Sequence, residues 1–375
     1  MKIIVATDSF KGTISASEAT EIIADALSEK LPTSKIIKMP IADGGEGSTD
    51  CFVDALGGGY VVTTVKNCFF EDVQVKIGIV EAGETAIVEM AQAAGLAFAE
   101  GRKNPLLTTT YGVGQMISVA AGLGVKRILL CLGGSATNDL GCGAAAALGV
   151  RFLDANGEDT LPLGGTLDEV VAIDTSFVPQ SIRDVEFICL CDVKSTLTGE
   201  SGAARMFAPQ KGASEKAVEL LEANAIHMQD VILRDLGVDL SNLEGGGAAG
   251  GFGAGAVAFL GATIRGGIDE ILFRIGFENA LEDADAVITG EGRADEQSSK
   301  GKAVSGVINV AKKHDIPTIV VAGSVGNADA LGADAVFSTV SDFCTFDDVK
   351  ANAKDSLCRT AKNIAAVLAL GTNKV

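Results

Sequence analysis

Apolar and polar positions alternate at two different periods along this chain. Residues 2–6 (KIIVA) form a short apolar run that reads as a buried strand. Ser15 and Glu18 then make a capping-box pattern, and Ala19, Ile22, Ile23, Ala26, Leu27 and Leu31 recur on one face of a helix that Pro32 stops. Residues 35–41 read as a second strand and 47–56 as a second helix, an alternation that predicts a parallel sheet. The pattern then changes. Residues 60–66, 72–80 and 85–90 are β-rich runs with short breaks and no helix between them, as in an antiparallel meander. Helical signals return at 112–122 and strand signals at 126–132, followed by a Gly-rich loop and a helix to Leu148. Residues 185–191 read as a strand, and 214–236 as a long helix with Val218, Leu221, Ala225, Met228 and Ile232 on one face and Gly237 as its stop.

Toward the C-terminus the alternation is clean. A strand at 286–289 leads into a loop and a helix through Lys313, with further strands at 317–322 and 335–340. Thr345 to Asp348 cap one last helix carrying Val349, Ala353, Leu357, Ala361, Ile364 and Leu368 on a face. The expected fold class is α/β. A doubly wound parallel-sheet domain is built from residues 1–58 and 280–375, and a mixed α/β domain with antiparallel strands, 59–279, is inserted in it. Ligands of doubly wound sheets sit beyond the carboxyl ends of the strands.

Composition narrows the function. The 375 residues are 47% hydrophobic, enough for substantial cores, and include 46 glycines, many of them clustered as in loops that approach a ligand with their backbone. The formal charge of −19 leaves no basic stripe for nucleic acid and no attraction to an anionic membrane, although a few local cations can still hold an anion. The eight cysteines show no CxxC spacing and are expected to be reduced thiols of a cytoplasmic protein. The apolar run after Lys2 is too short for a signal peptide, and the longest uncharged stretch, 245–262, is nearly half glycine, unlike a membrane span. The two histidines, His227 and His314, fall in amphipathic helical patterns, which leaves no Ser-His-Asp arrangement.

Candidate chemistry lies in loops that follow predicted strands. Asp8, Ser9 and Lys11 precede a helix N-terminus, a ready anion site. Asp43 and Glu46 stand among three glycines and suit Mg²⁺, directly or through water. Gly133, Gly134, Ser135, Thr137, Asn138 and Asp139 offer backbone N–H groups and hydroxyls to phosphate without being a Walker A loop. Asp192 ends a strand, and Lys211 sits between Gln210 and Gly212. Gly290, Glu291, Gly292 and Arg293 close another strand with a carboxylate and a guanidinium. The GxGxxG at 245–250 is discounted as a dinucleotide fingerprint because no strand precedes it. Gly-rich loops, carboxylates and isolated cations are the parts that phosphoryl transfer needs.

Seven runs carry a family resemblance: ATDSFKGTISA at 6–16, PIADGGEGS at 40–48, LGGSATNDLGCG at 132–143, CDV at 191–193, FAPQKGA at 207–213, GGGAAGGFGAG at 245–255 and VITGEGRADEQS at 287–298. Together they span nearly the whole chain, which resembles the bacterial type 1 glycerate kinases. It departs from that family at Lys194-Ser-Thr-Leu197, where Asn-Pro-Leu usually closes the run, and at Asp139-Leu140-Gly141, often Asp-Gly-Gly. The resemblance implies transfer of the ATP γ-phosphoryl group to D-glycerate with Mg²⁺, giving 2-phosphoglycerate. It also implies a flavodoxin-like part and an active site in the cleft between two domains.

Residue roles rest on the chemistry of the loops. Asp192 is the expected base, with Asp43 as the alternative, and Lys11 and Arg293 are expected to contact the acceptor carboxylate or the moving phosphoryl group. Asp8, Ser9 and Lys211 complete the substrate contacts. Residues 133–139 and 290–292 hold the nucleotide phosphates, and Asp43 and Glu46 the metal. A kinase of another small hydroxy-acid, an NAD-dependent dehydrogenase and a non-catalytic α/β binding protein remain alternative readings.

Overall fold

The structure is a computed structural model that describes residues 1–10, 12–42, 44–45, 47–295, 303–327, 329–340 and 345–372. Among the described residues the strands are β1 (Lys2–Thr7), β2 (Lys35–Lys38), β3 (Gly58–Lys66), β4 (Asp72–Val80), β5 (Thr85–Glu89), β6 (Arg127–Cys131), β7 (Arg151–Leu153), β8 (Asp159–Thr160), β9 (Ala172–Asp174), β10 (Glu186–Leu190), β11 (Thr263–Arg265), β12 (Ala286–Ala294), β13 (Thr318–Val325) and β14 (Ala335–Ser338). The chain divides into two compact units. One is Met1–Asp43, Asp50–Leu56 and Gly267–Val375, and the other is Gly44–Thr49 and Gly57–Gly266.

In the first unit five strands lie in the order β14-β13-β12-β1-β2, every neighbouring pair parallel. Counted along this unit, that is the 2-1-3-4-5 order of the flavodoxin-like doubly wound fold. Both faces are covered, which is why β1 and β13 are continuous apolar runs rather than alternating ones. Val321 packs with Ile23 and Leu27 of the helix Ala16–Lys30 and with Leu357 and Ile364 of the helix Ala353–Thr372. Its neighbours Val320 and Ala322 face the other way, against Val304 and Ile308 of the helix Ala303–Lys313. The first helix starts where its sequence says: the Ser15 hydroxyl accepts the Glu18 N–H at 3.2 Å.

The second unit carries a six-stranded mixed sheet, β11-β10-β6-β5-β4-β3. β3, β4 and β5 form the expected antiparallel meander, and β5 also opens the parallel part, β5-β6-β10-β11. The helix Glu215–Leu236 runs from the Ser214 cap to a left-handed Gly237, as its sequence predicts. A small antiparallel sheet, β8-β7-β9, has strands of only two or three residues, too short to leave a periodic signal.

Two expectations need correction, and a third gains detail. The strand from Ala286 does not end at Thr289: β12 continues to Ala294, with Arg293 opposite Ser324 on β13. Gly290 is therefore a packing residue rather than a turn, since a Cβ there would stand 2.2 Å from the Val321 carbonyl oxygen. The last predicted helix is two. The Thr345 capping box starts Phe346–Ala351, Asn352 leaves helical geometry, and Ala353–Thr372 follows. The Gly-rich run from 245 enters a helix, Ala248–Leu260, kinked by positive φ at Ala249, Gly250 and Gly251. Among the described residues no helix is long and apolar enough to cross a membrane.

Candidate active site

The parallel strands of the second unit bring their carboxyl ends to one edge. Register pairs Glu89 with Cys131, Cys131 with Leu190 and Leu190 with Arg265, so the loop after β6 lies between Glu89 and Asp192 along that edge. Two loops singled out by sequence meet here. The Gly133 N–H donates to the Gly44 carbonyl at 3.3 Å, and a Cβ on Gly133 would stand 2.4 Å from the Gly45 Cα. Such a close approach requires glycine at 133. Glu89 holds the far end of the same loop, accepting the N–H groups of Gly47 at 3.1 Å and Thr49 at 3.2 Å. Its carboxylate thus stands at the N-terminus of the helix Ser48–Leu56, where negative charge is favoured. Sequence reading missed Glu89. Its signal was a lone carboxylate closing an otherwise apolar strand. Asp43, Glu46 and Lys11 lie outside the described residues.

The loop after β6 is organised from within. The Asp139 side chain is fully buried and accepts the Thr110 N–H at 2.7 Å, the Thr110 hydroxyl at 2.9 Å, and the N–H groups of Gly141 and Gly143 at 3.2 and 3.3 Å. Burial raises its carboxyl above the ordinary aspartate value and these hydrogen bonds oppose the rise. The Thr108 hydroxyl ties down the Ala136 carbonyl at 3.0 Å. Lys211, 2% exposed, reaches in from the turn Pro209–Lys211 and donates to Ser135 Oγ at 2.9 Å and to the Thr137 carbonyl at 2.6 Å. Burial brings its ammonium down to about 7, and nearby Asp139 works against that shift. The Gly-rich helix closes over the same loop. A Cβ at Gly250 would stand 2.0 Å from the Thr137 carbonyl oxygen, and one at Gly255 1.8 Å from that of Leu140. These glycines pack backbone on backbone, and no strand leads into them as a dinucleotide fingerprint requires.

Of the residues expected to hold phosphate, Asp139 faces inward. Thr137 and Asn138 are also buried, and among the described residues neither the Thr137 hydroxyl nor either end of the Asn138 amide has a hydrogen-bond partner. Asp192 follows β10, whose last bond is Cys191 N–H to the Arg265 carbonyl at 2.9 Å. The residues that depart from the family run pack beneath the Gly-rich segment: Leu197 is buried, and the Gly247 N–H donates to the Ser195 carbonyl at 2.9 Å.

In the first unit, β1 and β12 are the adjacent strands from which the chain winds in opposite directions, the switch point where doubly wound folds bind ligands. The Asp8 N–H donates to the Gly290 carbonyl at 2.9 Å, and the Asp8 carboxylate accepts the Ser9 N–H at 2.6 Å. Asp8 also lies close enough to Cys51 to add to the burial that raises that thiol. Pleating sends Glu291 and Arg293 to one face of β12 and Gly290 and Gly292 to the other. The Arg293 side chain is 72% exposed, its Nε bonded to the Asp295 carboxylate at 2.9 Å. His227 and His314 are occupied elsewhere, at the Val170 carbonyl and at Glu278. Among the described residues no three His, Cys, Asp or Glu side chains are grouped to hold a metal by themselves.

Comparison with known proteins identifies the family. A profile of the glycerate kinase family matches residues 3–369. The glycerate 2-kinase of Escherichia coli (strain K12) is 42% identical over 376 residues, 99% of each chain. The glycerate kinase of Bacillus subtilis (strain 168) is 41% identical over 99% of this chain and 98% of its own. A crystal structure from Salmonella typhimurium LT2, provisionally named glycerate kinase 2, superposes with a TM-score of 0.91 at 40% identity, covering 100% of this chain and 99% of that one. Sequence and fold agree from end to end, and the protein belongs to the glycerate kinase family, whose members are kinases with an alcohol as phosphoryl acceptor.

Proposed function

We propose that the protein transfers the γ-phosphoryl group of ATP to D-glycerate, with 2-phosphoglycerate as product. The observation that carries the reading is the loop after β6, a strand-end backbone cradle locked by buried Asp139 and Lys211 against the Gly44–Gly45 backbone. Phosphoryl transfer demands positioned donors more than covalent help, and a cradle that does not reorganise supplies them. The named E. coli relative supports glycerate as acceptor and the 2-position as its target.

In this reading Gly133, Gly134 and Ser135 offer N–H and hydroxyl donors to phosphate oxygens, with Thr137, Asn138 and Asp139 behind them. Asp192 takes or orients the proton of the attacking hydroxyl. Asp8, Ser9 and Lys11 receive the acceptor, while Arg293, with its planar fork, clamps a carboxylate or the moving phosphoryl oxygens. Gly290, Glu291 and Gly292 contribute a second phosphate contact. Asp43 and Glu46, whose carboxylate oxygens suit the ion, would hold a Mg²⁺ that would neutralise phosphate charge. The seven described cysteines are free thiols, as a reducing compartment allows, and cytoplasmic residence is part of the proposal.

The test is incubation with ATP, Mg²⁺ and D-glycerate, followed by identification of the phosphoglycerate isomer. Glycerate-dependent ADP release with the 2-isomer supports the reading. Faster turnover on tartronate or glycerol would reassign the acceptor, and ATP hydrolysis indifferent to glycerate would overturn the proposal.

A further inference from the structure

Lys211 was expected to touch substrate, yet it is 2% exposed and its ammonium ends on Ser135 Oγ and the Thr137 carbonyl. What it does there follows from hydrogen-bond inventory. An ammonium has three donors and no acceptor, while a serine hydroxyl has one donor and two lone pairs. When Lys211 donates to Ser135 Oγ it takes a lone pair, so the Ser135 proton must point elsewhere. Among the described residues no acceptor takes that proton. Ser135 follows Gly133 and Gly134, and the Ala136 and Thr137 carbonyls beside it are held by Thr108 and Lys211, so neither its backbone nor its oxygen is free to wander.

We propose that Lys211 is a positioning residue that, by donating to Ser135 Oγ and the Thr137 carbonyl, fixes the Ser135 hydroxyl as an outward donor to a nucleotide phosphate oxygen. The inference rests on the nucleotide reading given above and adds what sets the polarity of that contact. Among the described residues the charge that acts on the lysine is Asp139, on the loop it enters; Lys103 stands at the adjoining backbone, its Nζ donating to the Gln210 carbonyl at 3.1 Å and its backbone packed against Gly212. A neutral Lys211 amine has a lone pair and can accept the Ser135 proton. The hydroxyl then turns inward and presents oxygen to the phosphate. Burial brings the lysine down to about 7, so this reversal falls within an accessible pH range.

The experiment is calorimetric titration of the full-length protein with ADP between about pH 6 and 8.5. Wild type should bind most tightly at the acid end and weaken as pH rises through neutrality. Ser135→Ala should bind roughly tenfold more weakly at pH 6, the scale of a hydrogen bond to a charged group, and should lose the part of the pH dependence that separates it from wild type. Titration of ADP itself is common to both proteins and cancels. Lys211→Met should resemble Ser135→Ala, and adding Ser135→Ala to it should change affinity less than about twofold, since the two act through one contact. If Lys211→Met does not fold, Ser135→Ala alone decides. A Ser135→Ala protein with wild-type affinity, or with the wild-type pH profile, overturns the inference while leaving nucleotide binding intact. Wild type that binds no ADP at any pH overturns the nucleotide reading and this inference with it.

Discussion

The loop after β6, with Lys211 reaching into it, and the end of β12 bring together similar residues, glycines with a hydroxyl, a carboxylate and a cation, but they are held by different forces. In the first, Asp139 is fully buried, Lys211 nearly so, and each bond it makes is to the loop itself or to the segment it packs on. In the second the strand simply continues, its backbone paired with β13, and Arg293 extends into solvent with 72% of its side chain exposed. Preorganisation is costly in polar groups taken out of water and gives a fixed set of donors. An exposed guanidinium on a rigid strand has the opposite balance: its base is fixed and its head can follow a ligand. The difference separates two kinds of failure. Removing a buried brace of the β6 loop should cost folding and function together, whereas removing the exposed Arg293 head at the β12 end should cost function alone.

The largest expected effect tests the first half. Asp139→Ala would strand the donors of Thr110, Gly141 and Gly143 in a buried site. Each buried unsatisfied group costs about 1–3 kcal/mol, so destabilisation of about 4 kcal/mol is expected from the urea midpoint. A loss below about 1 kcal/mol would mean that the loop is not held from within, and the comparison would collapse.

Asp192→Asn comes next, at the end of the strand beside β6. It preserves shape and removes charge, so kcat should fall roughly a hundredfold or more while the urea midpoint stays put. Unchanged kcat would move the base elsewhere, Asp43 being the alternative. Arg293→Met tests the exposed side. Losing a charge-assisted contact there should lower kcat/KM by about tenfold or more with thermal stability unaltered, against a surface control such as Lys313→Met. A drop in stability as large as that of the Asp139 variant would erase the contrast between the two strand ends.

How much of this could be read from the chain depends on where each signal lives. The helices Ala16–Lys30 and Glu215–Leu236 were legible because caps and apolar periodicity agree in them. The meander β3-β4-β5 was legible from three β-rich runs without helical spacers. The extension of β12 was not, because Gly290, Glu291, Gly292 and Arg293 have the composition of a loop, and only partner β13 makes them a strand. The break at Asn352 interrupts a helical face whose apolar spacing continues across it. Within the site, composition found the loops but not the direction of their side chains. Asp139 and Lys211 look like ligand contacts in sequence and are internal braces in space, since burial depends on Thr110 and on the Gly-rich helix from elsewhere in the chain. Glu89 had no loop around it to draw attention and was missed for that reason.

The last effect concerns pH and bears on the internally braced loop. Lys211 titrates near about 7 in the folded chain because burial disfavours its charge, and near the ordinary lysine value of about 10.4 when unfolded. Between those values the unfolded state holds a proton that the folded state has released. Stability therefore rises with pH across that window, and below it both states are charged and the burial penalty is present in full. One proton corresponds to about 1.4 kcal/mol per pH unit. Other groups titrate as well, so the informative quantity is the difference between wild type and Lys211→Met in urea midpoints measured from about pH 6.5 to 9. That difference should grow more favourable to wild type as pH rises, in the direction opposite to nucleotide affinity, which needs the charged ammonium to keep Ser135 pointing outward. Stability and affinity moving together with pH would show that some group other than Lys211 sets one of the two profiles, because titration of this lysine drives them in opposite directions. A difference flat with pH would show that the lysine keeps its charge throughout and braces the loop as a permanent ion, since a group that does not change protonation on folding contributes no slope.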